Sequence, residues 1–305
     1  MSNYEVVIIG GGPAGLTAGL YASRSGLKAL LIERGMFGGQ IVNAQLVENY
    51  PGFPDGIAGF DLASLMQKQA TKYGLETTMT EVTGIKKDRA YRVLTAGAEY
   101  KAETIIIAAG SEHRKLGVAG EEKLLGRGIS YCATCDGFLF RDREVAVVGG
   151  GDTALTDALE LSQHASKVYV IHRRDQLRGS QVLQQRALAH PKLKFVWDSV
   201  VDEIVGQGTV SALNLRNVKT NEIFRLPVAG VFVAVGLTPN SQAFADAVKL
   251  DDAGNIITNE LMATSAPGVF AAGDIRGKSV RQISSAVGDG ATAAISAFKY
   301  LRERI

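Results

Sequence analysis

Hydrophobic residues along the chain gather in short continuous runs. Residues 6–9, 29–32, 104–108, 168–171 and 231–235 are apolar throughout or nearly so, and the runs at 104–108 and 231–235 are rich in β-branched residues. Runs of this kind predict short strands, the latter two being strands of a parallel sheet buried on both faces. Residues 6–9 lead into Gly10-Gly11-Gly12-Pro13, then into an Ala-, Leu- and Gly-rich stretch that reads as helix, then into the run at 29–32. That order is a strand–helix–strand unit with a glycine turn at its first corner. Residues 6–23 carry no charge, yet the glycines and proline break the segment, and Glu5 precedes it where a signal peptide has Lys or Arg. The segment is therefore read as strand and helix, not as a leader or a membrane span.

The same pattern recurs. Glu5-Val6-Val7-Ile8-Ile9-Gly10-Gly11-Gly12 aligns with Glu144-Val145-Ala146-Val147-Val148-Gly149-Gly150-Gly151, an offset of 139 residues. The alignment continues without a gap: Gly15 falls on Ala154, Leu20 on Leu159, Lys28 on Lys167, Ile32 on Ile171 and Arg34 on Arg173. At this spacing the repeat is two copies of a domain-sized unit, not a solenoid. Repeated strand–helix alternation predicts an α/β protein with two doubly wound, Rossmann-like nucleotide-binding domains.

Length and composition agree with two such domains. The chain has 305 residues, and a domain usually takes about 150. A hydrophobic share of 46% and a charged share of 21% exclude a disordered chain. The net charge of +2 gives no basic field for nucleic acid or an anionic membrane surface. Glycine is in excess, with 35 residues against a usual share of about 7%. Only two cysteines are present, which excludes a disulfide-stapled secreted scaffold. A soluble cytoplasmic protein without nucleic-acid or membrane partners is expected.

Gly10-x-Gly12-x-x-Gly15 is a dinucleotide fingerprint. The first glycine allows the tight turn, the second lets a pyrophosphate approach the backbone, and the third lets helix and strand pack closely. Glu33, at the end of the second strand, can accept hydrogen bonds from ribose hydroxyls. In the second copy, Gly149-x-Gly151-x-x-Ala154, the partner of Glu33 is His172, followed by Arg173 and Arg174, with Arg178 a turn further on. A carboxylate would repel a 2′-phosphate, whereas guanidinium groups bind one bidentately. The first site is thus expected to take an unphosphorylated ribose and the second NADP(H).

Cys132-Ala133-Thr134-Cys135 holds both cysteines. A zinc half-site would need further ligands, and none of the four histidines makes a paired spacing with another. The spacing points instead to a redox-active dithiol. Asp136 follows directly and is the nearest candidate for general acid or base work.

With these residues in place the chain resembles the low-molecular-weight thioredoxin reductases, nearly from end to end. The resemblance is carried by Gly10-Gly11-Gly12-Pro13-Ala14-Gly15, Gly39-Gln40, Glu48-Asn49-Tyr50-Pro51-Gly52, Cys132-Ala133-Thr134-Cys135-Asp136-Gly137, Gly149-Gly150-Gly151-Asp152-Thr153-Ala154, His172-Arg173-Arg174 with Arg178, and Gly273-Asp274 with Arg281-Gln282. It implies FAD in the first site, in a discontinuous domain of residues 1–114 and 243–305. An NADPH domain of residues 115–242 is inserted and carries the dithiol. Gln40 and Asn49 match positions beside the flavin, Asp274 the ribityl contact, and Arg281, Gln282 and Ile283 the segment along the isoalloxazine. Arg127, Phe138 and Leu139 match contacts to thioredoxin.

The implied reaction is reduction of thioredoxin by NADPH through FAD and the dithiol, in a homodimer formed through the FAD domains. Cys135 is implied to lie over the flavin and Cys132 to be the interchange thiol. Rotation of one domain against the other is implied, with hinges near 112–118 and 240–246. The chain departs from the family in Asp152-Thr153-Ala154-Leu155-Thr156-Asp157, where Ser, Val and two glutamates are more common, and at Gly179, where Ala is common. Rival readings are a flavin reductase serving a peroxiredoxin or another thioredoxin-like partner, and a non-catalytic flavin redox sensor. The former relatives carry an additional N-terminal domain, whereas the first strand here is expected at Tyr4. A ferredoxin–NADP oxidoreductase would lack the dithiol.

Overall fold

The computed structural model describes residues 3–44 and 46–303. The chain divides into two compact units, one of residues 1–112 with 238–305, the other of residues 113–237.

The first unit opens with β1 (Asn3–Ile9), α1 (Pro13–Arg24), β2 (Ala29–Glu33), α2 (Gly59–Thr71) and β3 (Glu76–Met79), followed by β4 (Val82–Lys87), β5 (Tyr91–Thr95) and β6 (Glu99–Ile107). Strands β3, β2, β1 and β6 are parallel in that spatial order. The start of β6 turns into an antiparallel pair with β5, and β5 with β4. Val6 and Ile8 pack in one cluster with Leu16 and Ala18 of α1, while Val7 and Ile9 pack in another with Tyr91, Val93 and Phe244. Both faces of β1 are therefore covered, which is why its sequence is a continuous apolar run. Pro13 begins α1 because its fixed φ suits a first helical position, where the missing N–H costs no bond.

The chain then passes through β7 (Ser111–His113) into the second unit. Its elements are α3 (Glu121–Leu124), β8 (Ile129–Ser130), α4 (Ala133–Asp136), β9 (Glu144–Val148), α5 (Asp152–Leu161), β10 (Lys167–Ile171), α6 (Gln181–Ala189), β11 (Leu193–Val196), a meander of β12 (Ser199–Gln207), β13 (Thr209–Asn217) and β14 (Ile223–Pro227), and β15 (Gly230–Val233). The parallel sheet runs β11-β10-β9-β15-β8. Val145 and Val147 pack on Leu155, Ala158 and Leu161 of α5, and Ala146 and Val148 pack in a cluster with Leu213 and Leu215 of the meander. In each unit helices cover one face of the sheet and antiparallel strands contribute to the other, a division the sequence pattern does not reveal.

The return passes through β16 (Leu237–Pro239), which pairs with β7. Then β17 (Val269–Ala271) adds parallel to the end of β6, and α7 (Ile283–Arg302) packs on α1. The repeat keeps its register. Val6 pairs with Ala29 and Ile9 with Ile32, just as Val145 pairs with Val168 and Val148 with Ile171, each position displaced by the same 139 residues.

Candidate functional sites

The first glycine turn follows from how closely backbones approach. Gly10 has φ +104°, and a Cβ there would lie 2.4 Å from the Ala108 carbonyl oxygen. A Cβ on Gly15 would lie 1.8 Å from the Gly10 oxygen, so α1 sits hard against the turn. Gly12 faces open space, which leaves the N-terminus of α1 reachable by a phosphate. Glu33 folds back to the turn, its Oε2 accepting from the Gly11 N–H at 2.6 Å and its Oε1 from the Gly35 N–H at 2.9 Å.

Some of the other residues singled out for this site reach the same corner. Gly39, in the left-handed region, backs onto Gly12, and the turn carrying Asp274 abuts Ala14 through Gly273. Gln40 donates to the Ser111 carbonyl. Asn49 donates to Gln282 at 3.2 Å, and Gln282 caps α7 just ahead of Ile283. Asp274 and Arg281, both singled out for this site, each bury a polar atom without a hydrogen bond, Asp274 Oδ1 and Arg281 Nε. Asp274 Oδ1 has only the Lys278 ammonium at 3.3 Å. An unmet buried polar group costs about 1–3 kcal/mol, and a hydroxyl-rich ligand would satisfy such groups.

In the second turn Ala154 stands where Gly15 does, and Gly149 meets the Ala234 carbonyl as Gly10 meets that of Ala108. Gly151 faces open space and Thr153 is exposed on the first turn of α5. His172 is turned inward. It is 4% exposed, its Nε2 lies 3.0 Å from the Gln176 carbonyl, and its ring fills the space beside Gly150. Burial first, then the nearby arginines, holds its pKa below the usual histidine value despite the Gln176 contact. The residue is thus a neutral wall of the turn, and the positive charge expected at this position comes from its neighbours. Arg173, Arg174 and Arg178 line an open cleft of about 330 Å³ together with Lys219, which sequence reasoning missed.

The strap carrying Arg178 is tied to the turn at both ends. The Arg178 N–H donates to the Gly150 carbonyl at 2.7 Å, and the Ser180 N–H to Asp152 Oδ1 at 2.7 Å. A Cβ on Gly179 would lie 2.7 Å from Leu155 Cδ1, so the bare glycine leaves room for the leucine.

Cys132 and Cys135 form a disulfide at the head of α4, and Cys132 Sγ accepts from the Cys135 N–H at 3.2 Å. Asp136 is held from below. Ser130 Oγ donates to Asp136 Oδ2 at 2.5 Å and accepts from the Cys132 N–H at 3.0 Å. Ser130 is 6% exposed; its role could not be read locally, since serine is common everywhere. Thr134 ties α4 to Glu160 of α5 at 2.9 Å. Phe138 and Leu139 are 38% and 60% exposed, and the Arg127 side chain is exposed as well. Among the described residues, no cluster of His, Cys, Asp and Glu could hold a metal ion.

Comparison with known proteins agrees with this arrangement. The family model for pyridine nucleotide-disulphide oxidoreductases matches residues 4–290. The thioredoxin reductase of Listeria monocytogenes is 50% identical over 302 residues, covering 98% of this chain and 94% of the relative. That of Bacillus subtilis is 46% identical, covering 98% and 95%. The crystal structure of the thioredoxin reductase from Streptococcus pyogenes superposes with a TM-score of 0.94 at 48% identity, covering 99% of this chain and all of that one. The chain belongs to the thioredoxin reductases. Members of the thioredoxin reductase family are FAD-dependent oxidoreductases that use NADPH. The residues present fit both groups. Gly12 of the first turn is open, the Glu33 carboxylate folds back onto that turn, and Asp274 and Arg281 each hold an unmet buried polar atom, while the second turn pairs an open glycine with a cationic cleft.

Proposed function

We propose that the protein reduces the disulfide of thioredoxin with electrons from NADPH, with FAD seated at the first glycine turn and NADPH at the second. The observation that carries this reading is the Cys132–Cys135 disulfide at the head of α4, in a chain with two nucleotide turns of opposite charge preference. When bound, FAD supplies the two-electron relay between NADPH and that disulfide. Gly10, Gly12, Pro13, Ala14 and Gly15 form the phosphate turn and Glu33 takes the ribose, while Asp274 and Arg281 offer the unmet polar atoms. Gly39 borders the same corner, with Gln40 next to it, and Asn49, Gln282 and Ile283 are assigned to the flavin end of the site. Gly149, Gly151, Asp152, Thr153 and Ala154 shape the second turn, His172 walls it, and Arg173, Arg174 and Arg178 take the 2′-phosphate.

Uptake of two electrons opens the Cys132–Cys135 bond. Cys132 Sγ already faces the Cys135 N–H, a donor that favours the thiolate. The Cys132 thiolate attacks one sulfur of the thioredoxin disulfide, a mixed disulfide forms, and the second thioredoxin sulfur leaves as a thiolate. Asp136, oriented by Ser130, relays a proton from solvent to that leaving sulfur. Cys135 then attacks Cys132, which restores the internal disulfide and frees reduced thioredoxin.

Arg127, Phe138 and Leu139 provide an exposed cation and apolar side chains of the kind an interface anchor uses. Exposed large apolar side chains on α1 and α2, such as Tyr21, Phe60 and Leu65, support a homodimer through the FAD unit. No helix among the described residues is long and apolar enough to cross a membrane, and a dithiol kept reduced by NADPH suits the cytoplasm.

The test is NADPH oxidation with thioredoxin from the same source, together with trapping by cysteine variants. Cys135→Ser should accumulate a mixed disulfide with a thioredoxin lacking its resolving cysteine, and Cys132→Ser should not. Absence of thioredoxin-dependent NADPH oxidation would overturn the function, and the reverse trapping pattern would exchange the cysteine roles.

A further inference from the structure

The arginine cleft of the second unit contains a conflict. Arg173, Arg174 and Arg178 share it with two carboxylates, Asp175 and Asp198. Carboxylates in a phosphate cleft oppose its ligand, because like charges brought together are repulsive. Lys219 lies between them, its Nζ 2.8 Å from Asp175 Oδ2 and 3.0 Å from Asp198 Oδ2.

The lysine is placed by the fold, not by a flexible tail. It sits in the turn between β13 and β14, where Asn217 Oδ1 accepts from the N–H groups of Lys219 at 2.9 Å and Thr220 at 3.0 Å. That turn is joined to Asp198, whose carbonyl accepts from the Val218 N–H at 2.6 Å, and the Asp198 N–H reaches the Arg174 carbonyl at 3.3 Å. Asp198 itself has φ +50°, a conformation that side chains adopt rarely. One chain of backbone bonds thus links the arginine loop, the strained aspartate and the lysine. An isolated surface ion pair contributes little. Here one ammonium serves two carboxylates that share the cleft, and it holds the Asp175 carboxyl below the usual carboxylate range.

We infer that Lys219 sets the preference of this cleft for a 2′-phosphorylated nucleotide, by masking Asp175 and Asp198 from the phosphate. The inference rests on the reading of the cleft as the NADPH site. Without Lys219 the three arginines face two bare carboxylates, a formal balance of +1; with it the balance is +2 and neither carboxylate is bare. Lys219 therefore acts through the two aspartates and is a positioning and charge-masking residue.

Equilibrium titration of the purified holoenzyme with 2′,5′-ADP and 5′-AMP tests this without turnover. Lys219→Gln should weaken 2′,5′-ADP about five- to tenfold, a moderate effect because solvent screens the cleft, and leave 5′-AMP within about twofold. The unchanged 5′-AMP affinity shows that the unit is folded. Lys219→Gln with Asp175→Asn should recover most of the loss, since one unmasked carboxylate is removed. Equal binding of both probes to the unmodified protein would overturn the reading of the cleft, and the inference with it. If the unmodified protein prefers 2′,5′-ADP and Arg174→Ala abolishes that preference while Lys219→Gln leaves it unchanged, the cleft stands and the role of Lys219 falls. A loss that Asp175→Asn does not recover would make Lys219 a direct phosphate ligand and overturn the masking.

Discussion

Gly179 and Leu155 form a size-matched pair, and a double-mutant cycle should show it. A methyl added at Gly179 would stand 2.7 Å from Leu155 Cδ1 and 3.3 Å from the Asp152 backbone nitrogen. Ordinary contact begins near 3.4 Å, so the leucine methyl would have to give by most of an ångström. Leu155, on α5, is fully buried in the cluster that includes Val145 and Val147 of β9. Overpacking of this kind costs about 1–3 kcal/mol. Leu155→Val alone removes one buried methylene and leaves a small void, at about 1 kcal/mol. Simple addition predicts a double variant weakened by about 2–4 kcal/mol. The packing predicts that Gly179→Ala with Leu155→Val loses only about 1 kcal/mol or less, because the new methyl fills the space the lost one vacates. Thermal unfolding reads the difference at about 3–5 °C per kcal/mol for a unit of this size. The KM for NADPH should move in parallel, since the strap carrying Arg178 is tied to Asp152 through Ser180. Additive losses would refute the pairing.

Gly15→Ala should strip FAD from the purified protein, because its methyl would press on the Gly10 carbonyl and displace α1 from the phosphate turn; full flavin content in the variant would count against that. Arg173→Ala should raise the KM for NADPH about tenfold or more and spare NADH, as loss of a charge-assisted contact costs about 1.5–3 kcal/mol, and equal effects on both cofactors would contradict it. Arg127→Ala should raise the KM for thioredoxin while stopped-flow reduction of the flavin by NADPH is unchanged. Asp157 is pushed up to about 7 by burial, with Glu160 adding to the shift. The folded chain therefore keeps a proton that the unfolded chain, titrating near 3.8, has already released, and stability falls as pH rises from about 4 to about 7. Asp157→Asn should raise the unfolding temperature more at pH 8 than at pH 4.5, by about 1–3 kcal/mol in stability, and an equal gain at both would show that the carboxyl is not the cause.

The parts of this protein legible in its sequence are those set by local sterics. A glycine that a carbonyl touches can be nothing else, so Gly10, Gly15 and Gly149 announce their turns. Strand segments buried on both faces are apolar throughout, so the buried stretches of β1, β6, β9 and β15 stand out as runs. The repeat was visible because two copies of one unit meet the same constraints in the same order, and the paired register of β1–β2 and β9–β10 follows it. Two cysteines spaced for a dithiol, and an arginine cluster where the first copy has Glu33, needed no coordinates either.

The tertiary structure decided whatever depends on residues far apart in the chain. It turned His172 inward, because the space beside Gly150 is filled from the neighbouring strand. It covered the second face of each sheet with an antiparallel layer that alternating segments far downstream contribute. It set Ser130 under Asp136, and exposed Phe138 and Leu139. Lys219 lay beyond any local reading: its partner Asp175 is 44 positions away, and only the turn between β13 and β14 brings its ammonium to the arginine loop. Turns and runs are enforced within a few residues by excluded volume and burial. Charge pairing across a cleft has no sequence period, and becomes visible only when the chain has folded.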